Sequence, residues 1–427
     1  MRQENGGESQ EDGGALLGAG GAELSRSGST AAPDIRCFNV KFSPNLGDGL
    51  LSECLESALI DLGASPATHS IDLAARKAYG EEMAGRAAVM AVLDALPKPA
   101  RGALIRAPLA YKAAKSWRPH YKTGLRGADA VVIGGGNLIS DLDLNFPTKL
   151  TLAIEEAEAI GAPIALYACG MATGWSKTGL RMCRKIFSSP MLKAVFVRDA
   201  DSAALWEELM APHTGHSAQV VRDPGLMACE LYPAAPRAPQ PRPVAGLGIM
   251  SHIAIRYHAD NAPDSSHLDQ WYVGVAKGLI EKGFQVRAFT NGSPEDKQYA
   301  EQLKPALEAI GSAEDITFIT QRDPEGLCAN IADFDVMIAY RMHAVIAAYS
   351  YGVPAIALAW DRKLQSFMRS VDREAWFRDV ARTTAAECVD LAAEAAKQRL
   401  PEAARARVVA EARADVAKVW SSLFGEG

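Results

Sequence analysis

The side chains best suited to chemistry in this sequence are Arg341 and His343 in Tyr340-Arg-Met-His343, with Lys363 following in Asp361-Arg-Lys363. Arginine makes bidentate hydrogen bonds to carboxylate or phosphate, and lysine adds a point charge. An imidazole gives or takes a proton near neutral pH. Together they suit an anionic substrate and a proton transfer. An isolated Arg-x-His is more often an ordinary turn with an exposed Arg and a half-buried His, so the weight lies in where these residues fall.

Residues 336–339 form a short apolar run suited to a buried parallel strand, and 344–351 shift to a helical pattern closed by Gly352 and Pro354. Residues 354–360 are a second run of strand length. This is a strand, turn, helix and strand of the βαβ kind, with Arg341 and His343 where the first strand gives way to the helix. The first amides of a helix lack partners and its dipole is positive there, so cations beside it make an anion site. Lys363 follows the next strand on the same sheet edge, where open α/β sheets bind ligands.

The preceding part of the chain repeats the pattern. A strand at 35–42 runs into Ser43-Pro-Asn-Leu-Gly-Asp48 and a helix around 50–62, so Asn45, Gly47 and Asp48 occupy a strand-to-helix turn. Helix capping accounts for Asn45 or Asp48 as well as ligand binding does. A strand at 129–133 leads into Gly134, Gly135, Gly136 and Asn137, where glycines permit close backbone approach. The pattern is neither G-x-G-x-x-G nor a Walker loop, so it implies no nucleotide. A strand at 194–197 delivers Arg198 to its end ahead of a helix at 202–210; an ion pair with Asp199 or Asp201 explains it about equally well.

Other features carry less. The segment 101–126 mixes Tyr111, Trp117 and Tyr121 with Lys and Arg and reads as a solvated helix face, with sugar stacking the weaker alternative. Asp141-Leu-Asp143 has the spacing of a metal-binding tripeptide that also arises by chance. His252, Arg256, His258 and His267 form a surface loop or a cleft-facing acceptor loop and lack the spacing of a helical metal pair. The seven cysteines contain no C-x-x-C, so they read as reduced core thiols, Cys169 included.

With 427 residues and 48% hydrophobic content the chain can bury two substantial cores. A net charge of -6 argues against a nucleic-acid partner. No run reaches the length of a membrane span and the N-terminus lacks a signal-peptide core, which points to the cytoplasm. Residues 1–33 read as a disordered tail, 34–232 as an α/β domain, the Pro-rich 233–243 as a semi-rigid linker, 244–374 as a second α/β domain, and 375–427 as C-terminal helices.

Five pieces carry a family resemblance: Asn45-Leu-Gly-Asp48, Val132-Ile-Gly-Gly-Gly136, Val197-Arg-Asp199, Asp223-Pro-Gly225, and Tyr340-Arg-Met-His343 through Gly352-Val-Pro354 to Asp361-Arg-Lys363. The chain resembles the polysaccharide pyruvyl transferases, departing mildly at Ala339 and Trp360. The resemblance implies two Rossmann-like domains with parallel sheets facing a cleft, as in GT-B glycosyltransferases. It further implies transfer of the pyruvyl group of phosphoenolpyruvate to two hydroxyls of a sugar as a cyclic ketal, releasing phosphate. By the same resemblance Arg198, Arg341 and Lys363 hold the donor's anionic groups, with Asn45, Gly47, Asp48, Gly135 and Gly136 lining its site, and His343 moves the proton. No metal or cofactor is called for beyond the donor. The acceptor is a glycan or its lipid- or nucleotide-linked precursor, which leaves room for peripheral membrane association through the acceptor. A GT-B glycosyltransferase using a nucleotide sugar and a non-catalytic sugar-binding protein are the alternatives.

Overall fold

The structure, a computed structural model, describes residues 31–81, 107–141, 143–237, 240–252, 255, 265–360 and 362–425. Most of the expected N-terminal tail, residues 101–106 of the basic segment, residues 238–239 of the linker, Arg256, His258 and Asp361 lie outside them.

The short apolar runs become parallel strands. β1 (Ile35–Asn39), β2 (His69–Asp72), β3 (Ala130–Gly134), β4 (Ile164–Cys169), β5 (Leu192–Val197) and β6 (Ala218–Val220) form one sheet in the order β2-β1-β3-β4-β5-β6. β7 (Val244–Gly248), β8 (Gln285–Phe289), β9 (Ile316–Phe318), β10 (Val336–Ala339), β11 (Ala355–Leu358) and β12 (Phe377–Arg378) form the second, in the order β12-β11-β10-β7-β8-β9. Every strand pair is parallel. β1, β3 and β4 are buried along their whole length, as parallel strands with helices on both faces must be.

Helices start where side chains satisfy their first amides. Asn45 caps Leu46–Asp61, Ser176 caps Lys177–Phe187, Asp199 caps Ala200–Leu209 and Asp323 caps Pro324–Ala332. Thr384 and Glu387 form a reciprocal capping box on Ala385–Ala395. Ser293, at the N-cap of Pro294–Glu308, makes no capping bond. Its hydroxyl instead donates to the buried Asp296 carboxylate and accepts from Arg341.

Two strands escape the sequence reading. β2 lies in a stretch with no strand signal of its own, and β12 lies in the stretch expected to be C-terminal helices. Each is a short edge strand whose pairing is set by its neighbour, so neither leaves a local periodicity. The long helix Glu402–Phe424 packs against β4, β5 and the helix Leu46–Asp61, while Ala385–Ala395 packs on Ser265–Glu281. One apolar cluster joins the helices Leu46–Asp61, Met342–Ser350 and Glu402–Phe424. Among the described residues no helix is long and apolar enough to cross a membrane.

Candidate active site

β10 ends at Ala339, and the helix Met342–Ser350 starts at once, with Arg341 at its N-cap. His343 in its first turn is 7% exposed. The imidazole lies against the N-terminal turn of Leu46–Asp61. A Cβ on Gly47 would come within 2.5 Å of His343 Cβ and 2.9 Å of its Nδ1, so only glycine lets the two helix starts meet. Asp48 Oδ1 is 3.9 Å from His343 Nδ1, and Asp223 Oδ2 is 3.6 Å from Nε2. The second distance is a little beyond a hydrogen bond, and neither Nε2 nor Oδ2 has a hydrogen-bond partner. An imidazolium here would have a carboxylate facing each nitrogen. Burial opposes the charge on Asp223, but His343, Arg198 and the Gly225 N–H overcome it and hold the carboxyl below its ordinary value.

Arg198 follows β5. Its side chain is 4% exposed, and its Nε sits 3.5 Å from Asp199 Oδ2 without a hydrogen bond. The guanidinium lies on Gly170, where a Cβ would approach Nη2 to 2.7 Å. Ala168, with φ of 50°, and a register shift between Leu166 and Cys169 turn the end of β4 out of regular pairing. A nearly enclosed cation with one loose carboxylate neighbour is a costly arrangement, and a bound anion relieves it.

Arg341 is differently employed. Its Nε and Nη2 donate to Asp296 Oδ2 at 2.9 and 2.6 Å, and Nη2 also donates to Ser293 Oγ at 2.8 Å. Its guanidinium carbon is 5.6 Å from the centre of the Trp360 ring. Asp296 is fully buried and its Oδ1 accepts from the Ser251 N–H, so Arg341 has a dedicated counter-ion. Among the described residues only Nη1 makes no hydrogen bond, which leaves less of Arg341 for a ligand than its position suggests.

Around these groups lies a cavity of about 640 Å³, lined by Asn45, Asp48, Gly136, Arg198, His343 and Lys363, and also by Arg341, Asn137 and Trp360. The residues singled out from both halves of the chain therefore converge. Gly136, at φ of 76°, would carry its Cβ into open space, as a wall facing a ligand should. Gly135, also left-handed at 80°, is packed tightly on Leu51 and serves the turn. Asn45 lines the cavity while its side chain accepts from the Gly47 N–H at 3.4 Å, so the capping residue stands at the cavity wall.

Several other features resolve into structure. Trp117 and Tyr121 of the basic segment are core residues, and Arg118 pairs with Glu155 and Glu156. The Asp141 carboxylate accepts from the Leu144 and Ser176 amides, tying a loop to Lys177–Phe187. Cys169 is fully buried, and burial pushes its thiol up to about 12 despite Arg198, which disqualifies it as a nucleophile. Asp223 and Asn137 were assigned no part by sequence reasoning. The signal for both was their place at a strand's carboxyl end, Asp223 before Pro-Gly and Asn137 after the glycine run.

A family profile described as polysaccharide pyruvyl transferase matches residues 45–362, most of the chain. The chain belongs to that family. No curated protein matches it at a significant level. Among solved structures, the fold is similar to S. aureus MnaA with UDP, at a TM-score of 0.52 and 10% identity over 91% of this chain and 95% of that one. UDP-GlcNAc 2-epimerase from Neisseria meningitidis bound to UDP-GlcNAc gives 0.50 at 10% over 92% and 100%. The glycosyltransferase SnogD from Streptomyces nogalater gives 0.50 at 14% over 92% and 99%. At such identities the likeness shows the two-domain α/β architecture of the GT-B kind and nothing about substrate. The family match spans every cavity residue named above except Lys363, which directly follows it.

Proposed function

We propose that this member of the family transfers the pyruvyl group of phosphoenolpyruvate to two hydroxyls of a sugar as a cyclic ketal, releasing phosphate. The acceptor is a glycan or its lipid- or nucleotide-linked precursor in the cytoplasm. The observation that carries this reading is Arg198, a nearly enclosed guanidinium whose Nε makes no hydrogen bond among the described residues, in one cavity with His343 and Lys363. A donor bearing a phosphate and a carboxylate needs more than one cation, and Arg198 with Lys363 supply them at the N-terminus of Met342–Ser350. In this scheme Arg341 is mainly a positioning residue: its grip on Asp296 and Ser293 holds the β10 turn in place.

His343 acts as the acid that protonates the donor methylene carbon. The neighbouring carbon then becomes electrophilic, the first hydroxyl adds, phosphate departs and the second hydroxyl closes the ketal. Enclosure keeps water from capturing the cation-like intermediate.

A ligand that binds only the native state raises its apparent stability, by about 2.7 kcal/mol at a hundred times its Kd. Phosphoenolpyruvate is expected to raise the melting temperature of the wild type, and that of Arg198→Ala by about half as much or less at the same concentration. A second reading, a glycosyltransferase using a nucleotide sugar, draws on the fold likeness to proteins solved with UDP or UDP-GlcNAc. Stabilisation by UDP- or GDP-sugars and none by phosphoenolpyruvate would replace the first reading with the second.

A further inference from the structure

Beside the cavity just described lies a second, of about 1230 Å³, that shares Arg198, Met342 and Lys363 with it. It opens between the carboxyl ends of β5 and β6 on one side and the helices Arg362–Ser370 and Glu402–Phe424 on the other. Asp223 lines it at 4% exposure. Its Oδ1 is committed to the Gly225 N–H at 2.9 Å, whereas Oδ2 has no hydrogen-bond partner and faces His343 Nε2. One carboxylate thus stands at the partition, next to the imidazole of the first cavity. Asp199, 8% exposed, lines the same wall, its Oδ2 without a hydrogen bond and 3.5 Å from Arg198 Nε. Arg222 braces the cleft by pairing with Glu411 at 2.8 Å and donating to the carbonyl and hydroxyl of Ser370. The lining therefore combines carboxylate acceptors with the apolar surface of Val221 and Phe367. That suits a sugar, whose hydroxyls donate to carboxylates while its C–H face rests on apolar side chains.

We propose that this second cavity is the acceptor site, binding a sugar through a pair of neighbouring hydroxyls, and that Asp223 takes the proton of the hydroxyl that attacks. The proposal rests on the pyruvyl-transfer reading of the first cavity. His343 gives its proton to the methylene carbon. The first hydroxyl oxygen bonds to the adjacent carbon and its proton passes to Asp223. The bond from that carbon to the phosphate oxygen breaks, and phosphate leaves as hydrogen phosphate with the proton from Asp223. The second hydroxyl then bonds to the same carbon and its proton reloads His343, so atoms and charges balance. A weakly basic carboxylate suffices, because a hydroxyl becomes strongly acidic as it bonds to a cationic carbon. The charge of Asp223 also stabilises that cation.

Two variants of the full chain test this, with p-nitrophenyl hexopyranosides bearing free 4- and 6-hydroxyls as probes. Ser366 lines the second cavity and makes no hydrogen bond among the described residues, so Ser366→Trp fills the cleft from a half-buried helix position. The expected result is loss of glycoside saturation transfer in NMR, or an acceptor KM raised at least about tenfold, with the phosphoenolpyruvate melting shift intact. Asp223→Asn keeps the oxygen that caps Gly225 and is expected to lower kcat about a hundredfold or more while both ligands still bind. Wild-type glycoside binding by Ser366→Trp, or by no protein at all, rejects the acceptor site. Turnover by Asp223→Asn within about threefold of wild type rejects the proton role. Glycoside binding that depends on Ser366, with no response to phosphoenolpyruvate, supports the sugar cleft while overturning the donor reading.

Discussion

Arg198 carries its charge into a wall of the cleft where Asp199 is its nearest carboxylate, and there at 3.5 Å. A hydrogen bond to a charged group contributes about 1.5–3 kcal/mol, so Arg198→Ala is expected to weaken phosphoenolpyruvate binding about ten- to a hundredfold by calorimetry. Gly47 offers a different test, because its contact with His343 is steric. Gly47→Ala places a methyl in a space already filled, at a cost of about 1–3 kcal/mol in urea unfolding, and moves the imidazole enough to lower kcat. Retained wild-type kcat would mean that His343 does not need this position. Asp223 adds a pH dependence. Its folded carboxyl lies below the ordinary 3.8, so its contribution to stability is full above that value and is lost as pH falls through the lower folded value. Asp223→Asn should therefore flatten the loss of stability in acid; an unchanged acid limb in urea titrations would show that the carboxylate is not so held.

At the β10 turn, packing and charge are inseparable. Asp296, in the first turn of Pro294–Glu308, is wholly buried and holds Arg341. Asp296→Ala leaves a half-enclosed cation without its partner and is expected to destabilise by about 3–5 kcal/mol in urea unfolding, where a loss below about 1 kcal/mol would show the pair to be incidental. This pair also marks the limit of what the residue string discloses. The strand Val336–Ala339 and the helix Met342–Ser350 follow from an apolar run and from a helical pattern closed by Gly352 and Pro354, because those signals are local. That Arg341 and His343 share a strand end was equally legible. That Arg341 would also meet Asp296 was not, since the partners come from different strand-helix units. The role of Gly47 was hidden for the same reason, its constraint lying in a helix from the other half of the chain. β2 and β12 were missed because edge pairing, not composition, makes them strands.

For the molecule as a whole, the helix Glu402–Phe424 binds the C-terminal end of the chain to the first sheet, burying Val408, Ala412, Val416 and Val419. Arg222 and Asp415 tie the same helix to the end of β6. Because one apolar cluster includes residues from both sheets and this helix, the two sheets and their helices should unfold in a single transition, with Val416→Asp lowering its midpoint. Two resolved transitions by calorimetry would show that the halves fold independently. The cleft positions follow from this arrangement, since Arg198 and Asp223 belong to the first half and His343 and Lys363 to the second.

Turnover of phosphoenolpyruvate tests the proposed chemistry most directly. Phosphate release should be measured with wild type, His343→Ala and Arg198→Ala, with and without a sugar bearing a free diol, and the product weighed by mass spectrometry. The expected result is acceptor-dependent phosphate release with a pyruvyl ketal formed by the wild type, and loss of at least about a hundredfold in both folded variants. Release that is indifferent to His343 and Arg198, or a sugar recovered without the pyruvyl group from an active preparation, would contradict it.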